Sequence, residues 1–439
     1  MMKYVFMIFM LFIMMKWNKL VMFYYNMCFI LSIMMLFNYS FKNNLNMNLS
    51  MFMSMDYYSY LLIILNFWVM GLMFMGLMSI EETLKKMMFL MMMIILMMFF
   101  LMSNIMLFYL FFEMSMIPTF MLIIYWGYNL ERMSAAYYML MYMLFISLPF
   151  LIYMMNLYIK LGSLSFYIIL TMKMKELSLW SFLTIMGMFY IKMPIFFFHI
   201  WLPKAHVEAP VYGSMILAAI LLKLGSYGLL RFLMFFLKSS LKFNNLIISI
   251  GIIGSLLVSF ICLVQIDMKS MVAYSSVVHM NLMLCGLMSM YKLGFISSYI
   301  IMISHGLCSS GLFYMVNLFY YRTSSRLLMM NKGLINLMSS FTLWWFMLCS
   351  SNFSFPLSFG FIGEIYILGV LISWSSILMM YLIVISFFSS AYSLYLFSYV
   401  QHGEILNLNH YNSGNFKEML ILIMHMFPLM MMLVNMIMF

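Results

Sequence analysis

The chain reads as a succession of long apolar runs separated by short polar breaks. The runs cover approximately 4–16, 20–37, 57–79, 86–102, 104–125, 134–156, 178–200, 212–236, 245–266, 271–289, 294–320, 333–373, 374–399 and 416–438. Most approach or exceed the roughly 20 apolar residues that a bilayer-spanning helix requires. None alternates apolar and polar residues with period two, as a membrane barrel strand does. The pattern predicts an all-α polytopic membrane protein with about fourteen transmembrane helices. The first run is short, a mismatch that tilt or local thinning absorbs.

Two runs are interrupted. In the seventh, Pro194 removes a helical hydrogen bond and its ring clashes with the carbonyl of Tyr190. The twelfth is too long for one span and is cut by Ser350-Ser351-Asn352-Phe353-Ser354-Phe355-Pro356. The breaks lie five segments apart. Broken helices in corresponding halves suggest an inverted repeat with the functional site at the breaks. Proline is also frequent in membrane helices generally, and the breaks alone do not separate these readings. Connections are short and charged, as in Glu81-Glu82-Thr83-Leu84-Lys85-Lys86 and Asn129-Leu130-Glu131-Arg132; residues 156–176 form a longer connection carrying Lys160, Lys173 and Lys175. No Gly/Ser-rich linker divides residues 1–439, which read as one membrane domain.

Composition sharpens this picture. The chain is 67% hydrophobic and 8% charged, with a mean hydropathy of +1.07. A soluble domain carries about 25% charged residues, so this outer surface faces lipid. The formal charge of +11 comes from 22 Lys and Arg scattered singly or in pairs. No basic cluster interleaved with aromatics marks a nucleic-acid surface, and the cations read as loop residues of a membrane topology. The five cysteines lie in apolar segments without C-x-x-C spacing, which argues against zinc or iron–sulfur ligation. There are 65 Met, but Arg occurs only at Arg132, Arg231, Arg322 and Arg326, and Ala only eight times. Met is a flexible core filler, but that leaves unexplained the shortage of Ala, which packs well between membrane helices. An AT-rich genome that reads an extra codon as Met, as in invertebrate mitochondria, accounts for both. Mitochondrial encoding agrees with an N-terminus that is simply the first apolar run and not an Arg- and Ser-rich transit peptide.

Nearly all charged residues fall in loops or near helix ends. Glu113, Lys192, Lys223 and Glu364 do not. Each lies inside an apolar run, at a cost of about 2.5–3.5 kcal/mol at mid-bilayer. Four such groups together approach the net stability of an ordinary domain, about 5–15 kcal/mol, so they must be paired, wetted or turned to the bundle interior. Structural Glu–Lys pairs would meet that need. Intramembrane ionisable groups are, however, functional by default. Desolvation disfavours the charged form of acid and base alike, and an opposite charge that approaches or withdraws then captures or releases a proton. His279 and His305 also lie mid-run beside hydroxyl residues; either is a proton shuttle or a histidine bonded across helices.

Other chemistries lack a signal. His199, His206 and Glu208 do not have H-E-x-x-H spacing, and Pro203 and Pro210 make 201–210 read as a loop. There is no G-x-G-x-x-G, Walker loop or catalytic triad, so no nucleotide, flavin or redox centre is expected in this chain.

The longest motifs are Trp201-Leu202-Pro203-Lys204-Ala205-His206-Val207-Glu208-Ala209-Pro210 and Gly213-Ser214-Met215-Ile216-Leu217-Ala218-Ala219-Ile220-Leu221-Leu222-Lys223-Leu224-Gly225, with further matches in 113–119, 267–279 and 304–310. Together they resemble mitochondrial NADH-ubiquinone oxidoreductase chain 4, an antiporter-like family of respiratory complex I, over essentially the whole chain. The resemblance implies fourteen helices in two inverted five-helix repeats with broken seventh and twelfth helices. On this chain it places N-terminal helices at 1–80, the repeats at 86–236 and 245–399, and a C-terminal helix at 400–439. It implies proton transfer by Glu113, Lys192, Lys223 and Glu364. Glu113 pairs with Lys192, the proton passes by Lys223 towards Glu364, and His279 and His305 lie on the hydrated line between. It further implies a place in the mitochondrial inner membrane, and as partners lipids and other complex I membrane-arm subunits, including sister antiporter-like subunits. NAD, FMN, iron–sulfur clusters and ubiquinone would all be held elsewhere in the complex. Two other readings share these residues: a subunit of a multi-subunit cation/proton antiporter, and a structural scaffold.

Overall fold

The computed structural model describes residues 2–14, 21–39, 47–48, 53–77, 83–171, 176–404 and 414–434. The charged positions Glu81, Glu82, Lys173 and Lys175 lie outside the described residues, as do 15–16 of the first run and 435–438 of the last.

Among the described residues the regular structure is helical apart from one pair of two-residue strands. Its helices are α1 Met2–Met14, α2 Val21–Tyr39, α3 Tyr57–Gly76, α4 Thr83–Leu101, α5 Ile105–Met114, α6 Met116–Trp126, α7 Arg132–Leu161, α8 Phe166–Thr171, α9 Leu179–Lys192 and α10 Trp201–Glu208. They continue with α11 Val211–Ile216, α12 Leu222–Phe235, α13 Leu237–Val264, α14 Met268–Met288, α15 Lys292–Thr323, α16 Leu334–Leu337, α17 Ser339–Asn352, α18 Phe359–Trp374, α19 Leu378–Gln401 and α20 Phe416–Val434. Strands β1 Met47–Asn48 and β2 Ser54–Met55 pair antiparallel. Among the described residues, 11 helical runs are long and apolar enough to cross a membrane. The shorter apolar helices Lys3–Met14, Leu179–Lys192 and Phe359–Trp374 accompany them.

Both predicted interruptions are present. Helix α9 ends at Lys192, and the Ile195 amide reaches back five residues to the Tyr190 carbonyl at 3.1 Å. This is the carbonyl that Pro194, lacking an N–H, cannot serve. A 3-10 turn, Phe196–Phe198, follows. The twelfth run separates into α17 and α18 with a turn at 353–358, where Phe355 N–H bonds to the Ser350 carbonyl at 3.0 Å and Ser354 has φ 61°.

Three stretches depart from the hydropathy reading. Residues 104–125 divide into α5 and α6 at Ser115. Pro118 has no N–H for the Met114 carbonyl and so unsettles the junction. The connection expected at 156–176 is shorter. Helix α7 continues to Leu161, with Lys160 in its last turn, and stops at Gly162 in the left-handed region, φ 71°. A cation there favours the carbonyl end of the helix dipole, and glycine adopts positive φ without a Cβ penalty. Part of the remaining connection forms α8. The loop expected over 201–210 contains α10, because Pro203 lies in the first turn, where no intrahelical N–H bond is required.

The chain divides into two compact units. The first comprises Met1–Phe189 and Tyr227–Ser239. Its interior is aromatic: Phe99 and Phe108 have ring centroids 4.3 Å apart, Phe189 and Phe232 are 4.9 Å apart, and Phe150 joins Phe232 at 5.7 Å. Gly228 makes room for this cluster, since a Cβ there would lie 2.1 Å from the Phe189 ring. The second unit comprises Tyr190–Ser226 and Ser240–Phe439. Helix α15 is its axis, with nearly every side chain buried and α11, α14, α17, α18 and α20 against it. Gly294 permits α14 and α15 to meet closely, because a Cβ would fall 2.5 Å from the Gly286 carbonyl oxygen. The outer faces are apolar, as on α7, where Tyr137, Met141, Phe145, Leu148 and Ile152 are exposed at helical spacing.

Replacing Gly228 by Leu forces a buried ring out of place and is expected to destabilise the fold by about 1–3 kcal/mol. A Cβ added at the exposed Gly369 meets nothing within 4 Å, and Gly369→Leu is expected to be neutral. Thermal denaturation of the two variants in detergent checks the contrast.

Candidate functional site

The site in the second unit begins with an irregular turn of helix. Residues Leu217–Leu221 form a π-turn between α11 and α12. Leu222 N–H bonds back five residues to the Leu217 carbonyl. The Ala218 carbonyl accepts from Lys223 Nζ at 2.6 Å. Single π-turns inside α-helices recur at functional sites, and hydropathy gives no sign of one here.

Lys223 is wholly buried, and its Nζ lies 2.8 Å from His305 Nδ1 on α15. An ammonium has donors only, and a neutral imidazole nitrogen donates or accepts according to its tautomer. A protonated Lys223 therefore donates to a bare His305 Nδ1, and a neutral Lys223 accepts from Nδ1–H. The two nitrogens bracket one proton, because like charges this close disfavour a second.

From His305 the polar groups continue. The rings of His305 and His279 are 5.8 Å apart, centroid to centroid, a spacing that one bridging water spans. His279 Nδ1 on α14 lies 3.2 Å from Glu364 Oε1 on α18. Its Nε2 lies 3.5 Å from the buried hydroxyl of Tyr392 on α19. A carboxylate only accepts, so Glu364 fixes the His279 proton on Nδ1 and leaves Nε2 to accept from Tyr392. Glu364 is the least buried of the group, its side chain 23% exposed.

The helix break supplies the setting. A small cleft of about 20 Å³, room for about one water, is lined by His279, His305 and Glu364, by Ser304 of α15, by Ser351 and Asn352 at the end of α17, and by Ser354 and Ser358 of the α17–α18 turn. A second cleft, also of about 20 Å³, borders His279 and Glu364 and is lined largely by Leu282, Ile367, Leu382 and Ile385. Hydroxyls and an amide around a buried acid and two imidazoles are the partners that internal water needs.

The remaining candidates stand elsewhere. Lys192 is buried as the last residue of α9, at the carbonyl end of the helix, which favours a cation. Glu113 lies in the last turn of α5, beside the Ser115 junction, and belongs to the first unit. His199 stacks on Phe196 and bonds to its carbonyl. His206 is buried against Phe313, with centroids 4.5 Å apart. Among the described residues no three His, Cys, Asp or Glu side chains assemble as a metal site.

Sequence position concealed other buried cations. Lys269, in the first turn of α14, is 1% exposed and donates to the Ala209 carbonyl at 3.3 Å. Lys86, in the first turn of α4, is 2% exposed. Each reads in the sequence as an ordinary helix-end charge; for Lys269 the one pointer is its place in the 267–279 motif. In the first unit, Arg231 pairs with Asp56, donates from Nε to Tyr227 Oη at 2.9 Å, and lies over the Phe166 ring at 5.0 Å. Burial pushes the Asp56 carboxyl above its ordinary range, and Arg231 opposes that rise.

Residues 102–389 match the family described as "NADH:quinone oxidoreductase/Mrp antiporter, TM", and residues 1–103 the family described as "NADH-ubiquinone oxidoreductase chain 4, amino terminus". The first match contains all six candidate site residues. The chain is 45% identical over 435 residues to NADH-ubiquinone oxidoreductase chain 4 of Aedes aegypti, covering 98% of this chain and 97% of that one. The chain belongs to the NADH-ubiquinone oxidoreductase chain 4 family. The Ceratitis capitata member is 43% identical over 411 residues, 92% of either chain. A chain of respiratory complex I from Thermus thermophilus shares the fold, with a TM-score of 0.79 at 22% identity, covering 87% of this chain and 81% of that one. A chain of the archaeal membrane-bound sulfane sulfur reductase shares it with a TM-score of 0.78 at 22% identity, covering 86% and 64%. Chain 4 membership agrees with the resemblance carried by the 201–225 motifs.

Asp56→Asn leaves the Arg231 guanidinium buried without its counter-charge. Breaking a buried pair from one side costs about 3–5 kcal/mol, and the partial exposure of Asp56 places this one at the low end. The yield of assembled chain is expected to fall in Asp56→Asn. It is expected to recover in the double variant with Arg231→Met, which removes both partners.

Proposed function

We infer that this chain is the proton-translocating chain 4 subunit of the membrane arm of NADH:ubiquinone oxidoreductase, and that it moves protons through Glu113, Lys192, Lys223, His305, His279 and Glu364. Family membership carries the first part, and the 2.8 Å contact between Lys223 Nζ and His305 Nδ1 is the single observation that best supports the second. The subunit is a multi-pass protein of the mitochondrial inner membrane and part of an enzyme complex. Electron transfer is assigned to other subunits, where NAD, FMN, iron–sulfur clusters and ubiquinone would reside, and none of these is assigned to this chain. Its proposed partners are the other complex I membrane-arm subunits, including sister antiporter-like subunits, and lipids.

In this reading a proton held by Lys192 moves to Lys223. Lys223 and His305 share one proton across 2.8 Å. A second proton on the pair drives one onward through water to His279 and then to Glu364, 3.2 Å away. Tyr392 holds the ring of His279 while its protonation changes. The two five-helix repeats, 86–236 and 245–399, would each contribute one broken helix, with Lys192 at one break and Glu364 beyond the other.

The description of the matched family also names the Mrp antiporter, the class of the alternative antiporter reading. The insect relatives at 43–45% identity are chain 4 proteins, which favours the respiratory reading. A scaffold role is separated by mutation. Lys223→Met keeps length and burial but removes the proton. The complex is expected to assemble normally, while proton pumping in sealed vesicles falls by about 10²-fold, the low end of losing an acid–base group. Glu364→Gln is expected to act in the same direction. Normal pumping in an assembled Lys223→Met complex would return the buried charges to a purely structural role.

A further inference from the structure

Resting on the proton-transfer reading above, we propose that the seam between α15, α17 and α20 is a second hydrated branch leading away from the His305–Glu364 cleft, with His425 as its proton-carrying group.

Helix α20 lies along the second half of α15 in the opposite direction. Glu418 pairs with Arg322 at 2.5 Å near the end of α15. Two turns along α20, the His425 ring stacks on Tyr314, with centroids 6.3 Å apart and planes at 19°. A Cβ added to Gly311 would lie 3.4 Å from the Cβ of His425. One turn further, Leu429 lines the cleft that holds His305 and Glu364. Helix α17 closes the third side. Its Ser351 hydroxyl is 3.1 Å from the Cys308 thiol, and Leu348 packs on Gly311. Helices α17 and α20 thus flank α15 from Cys308 to Arg322, about 20 Å at 1.5 Å per residue.

Such an enclosed interface between membrane helices is ordinarily apolar or internally bonded. This one contains two polar atoms without a protein partner, His425 Nε2 on α20 and Trp345 Nε1 on α17. Both residues are fully buried. Trp345 packs edge-on against Phe319 of α15, and on α15 Gly311 and Tyr314, three residues apart, share the face turned to His425. Buried polar groups are, with few exceptions, hydrogen-bonded to protein or to water, and orphans spread along one seam indicate water within it.

His425 has the chemistry to use that water. Its Nδ1 lies 2.8 Å from the Ile421 carbonyl oxygen. A carbonyl only accepts, so Nδ1 carries the hydrogen and Nε2 presents a lone pair. The ring is held in place by one nitrogen and open to protonation at the other, the arrangement a relay histidine requires. A proton arriving from the cleft binds Nε2. The resulting imidazolium gives a proton on to the next water, and the charge never needs to leave the seam before the Arg322–Glu418 end.

The experiment uses the whole complex in sealed vesicles with two variants, beside Lys223→Met as reference. His425→Phe keeps the stack on Tyr314 and removes both nitrogens. His425→Gln keeps a hydrogen-bonding side chain that does not titrate. Each is expected to assemble and to pump about tenfold or more slowly, a smaller loss than the roughly 10²-fold typical of an acid–base group because water remains in the seam. If either variant assembles and pumps within about twofold of the unmodified complex while Lys223→Met fails, the seam is not a proton branch and the main pathway stands. If Lys223→Met also pumps normally, both readings fall. Should neither His425 variant assemble, a high-resolution map of the unmodified complex decides. Ordered water on His425 Nε2, continuing towards Ser351, upholds the branch; a dry seam overturns it.

Discussion

The structure turns on one contact, Lys223 Nζ against His305 Nδ1, made where water is scarce. A charge is expensive in a low-dielectric interior, and two like charges at 2.8 Å are more so. At that distance one nitrogen donates and the other accepts. That contact, with the Ala218 carbonyl, gives a basic group in the middle of a membrane helix its polar partners.

Around that contact the backbone is irregular in the places where regular helix would leave polar groups isolated. The π-turn over Leu217–Leu221 presents the Ala218 carbonyl to Lys223. The break between α17 and α18 brings three serines and Asn352 beside Glu364 and the two histidines. Non-helical backbone at membrane depth is tolerated only where protein or a wet cavity satisfies it. Here the turn amides are satisfied within the turn, and the side chains are left to line the cleft. Tight packing elsewhere, with α15 as an axis and glycines at its closest approaches, holds these groups at fixed distances.

Similarity to known proteins has two depths. Insect relatives share more than two-fifths of the aligned residues with this chain over nearly its whole length. The bacterial and archaeal structures share 22%, enough to show the architecture alone. A bilayer asks mainly that lipid-facing positions be apolar, so Leu, Met and Phe exchange with little penalty. The abundance of Met in this chain shows how far such exchange goes without loss of the fold.

Most of the architecture was legible in the sequence because hydrocarbon imposes one rule on every residue of a span. Apolar runs gave most helices within a few residues, although α13 begins at Leu237, eight residues before its run, and Pro194 and the 350–356 stretch gave the two breaks. Isolated charges inside apolar runs gave Lys223 and Glu364. Proline position alone did not reveal that α5 and α6 would part at Ser115 or that 201–208 would be helical, since the effect of a proline depends on which turn it occupies. Lys269 and Lys86 looked like helix-end charges because burial of an end depends on what is packed over it. Which nitrogen meets which, the π-turn before Lys223, and the orphaned Nε2 of His425 were decided by tertiary structure alone. Composition along a chain records the cost of leaving water, whereas a hydrogen bond between residues 82 positions apart depends on distances that only the folded helices set.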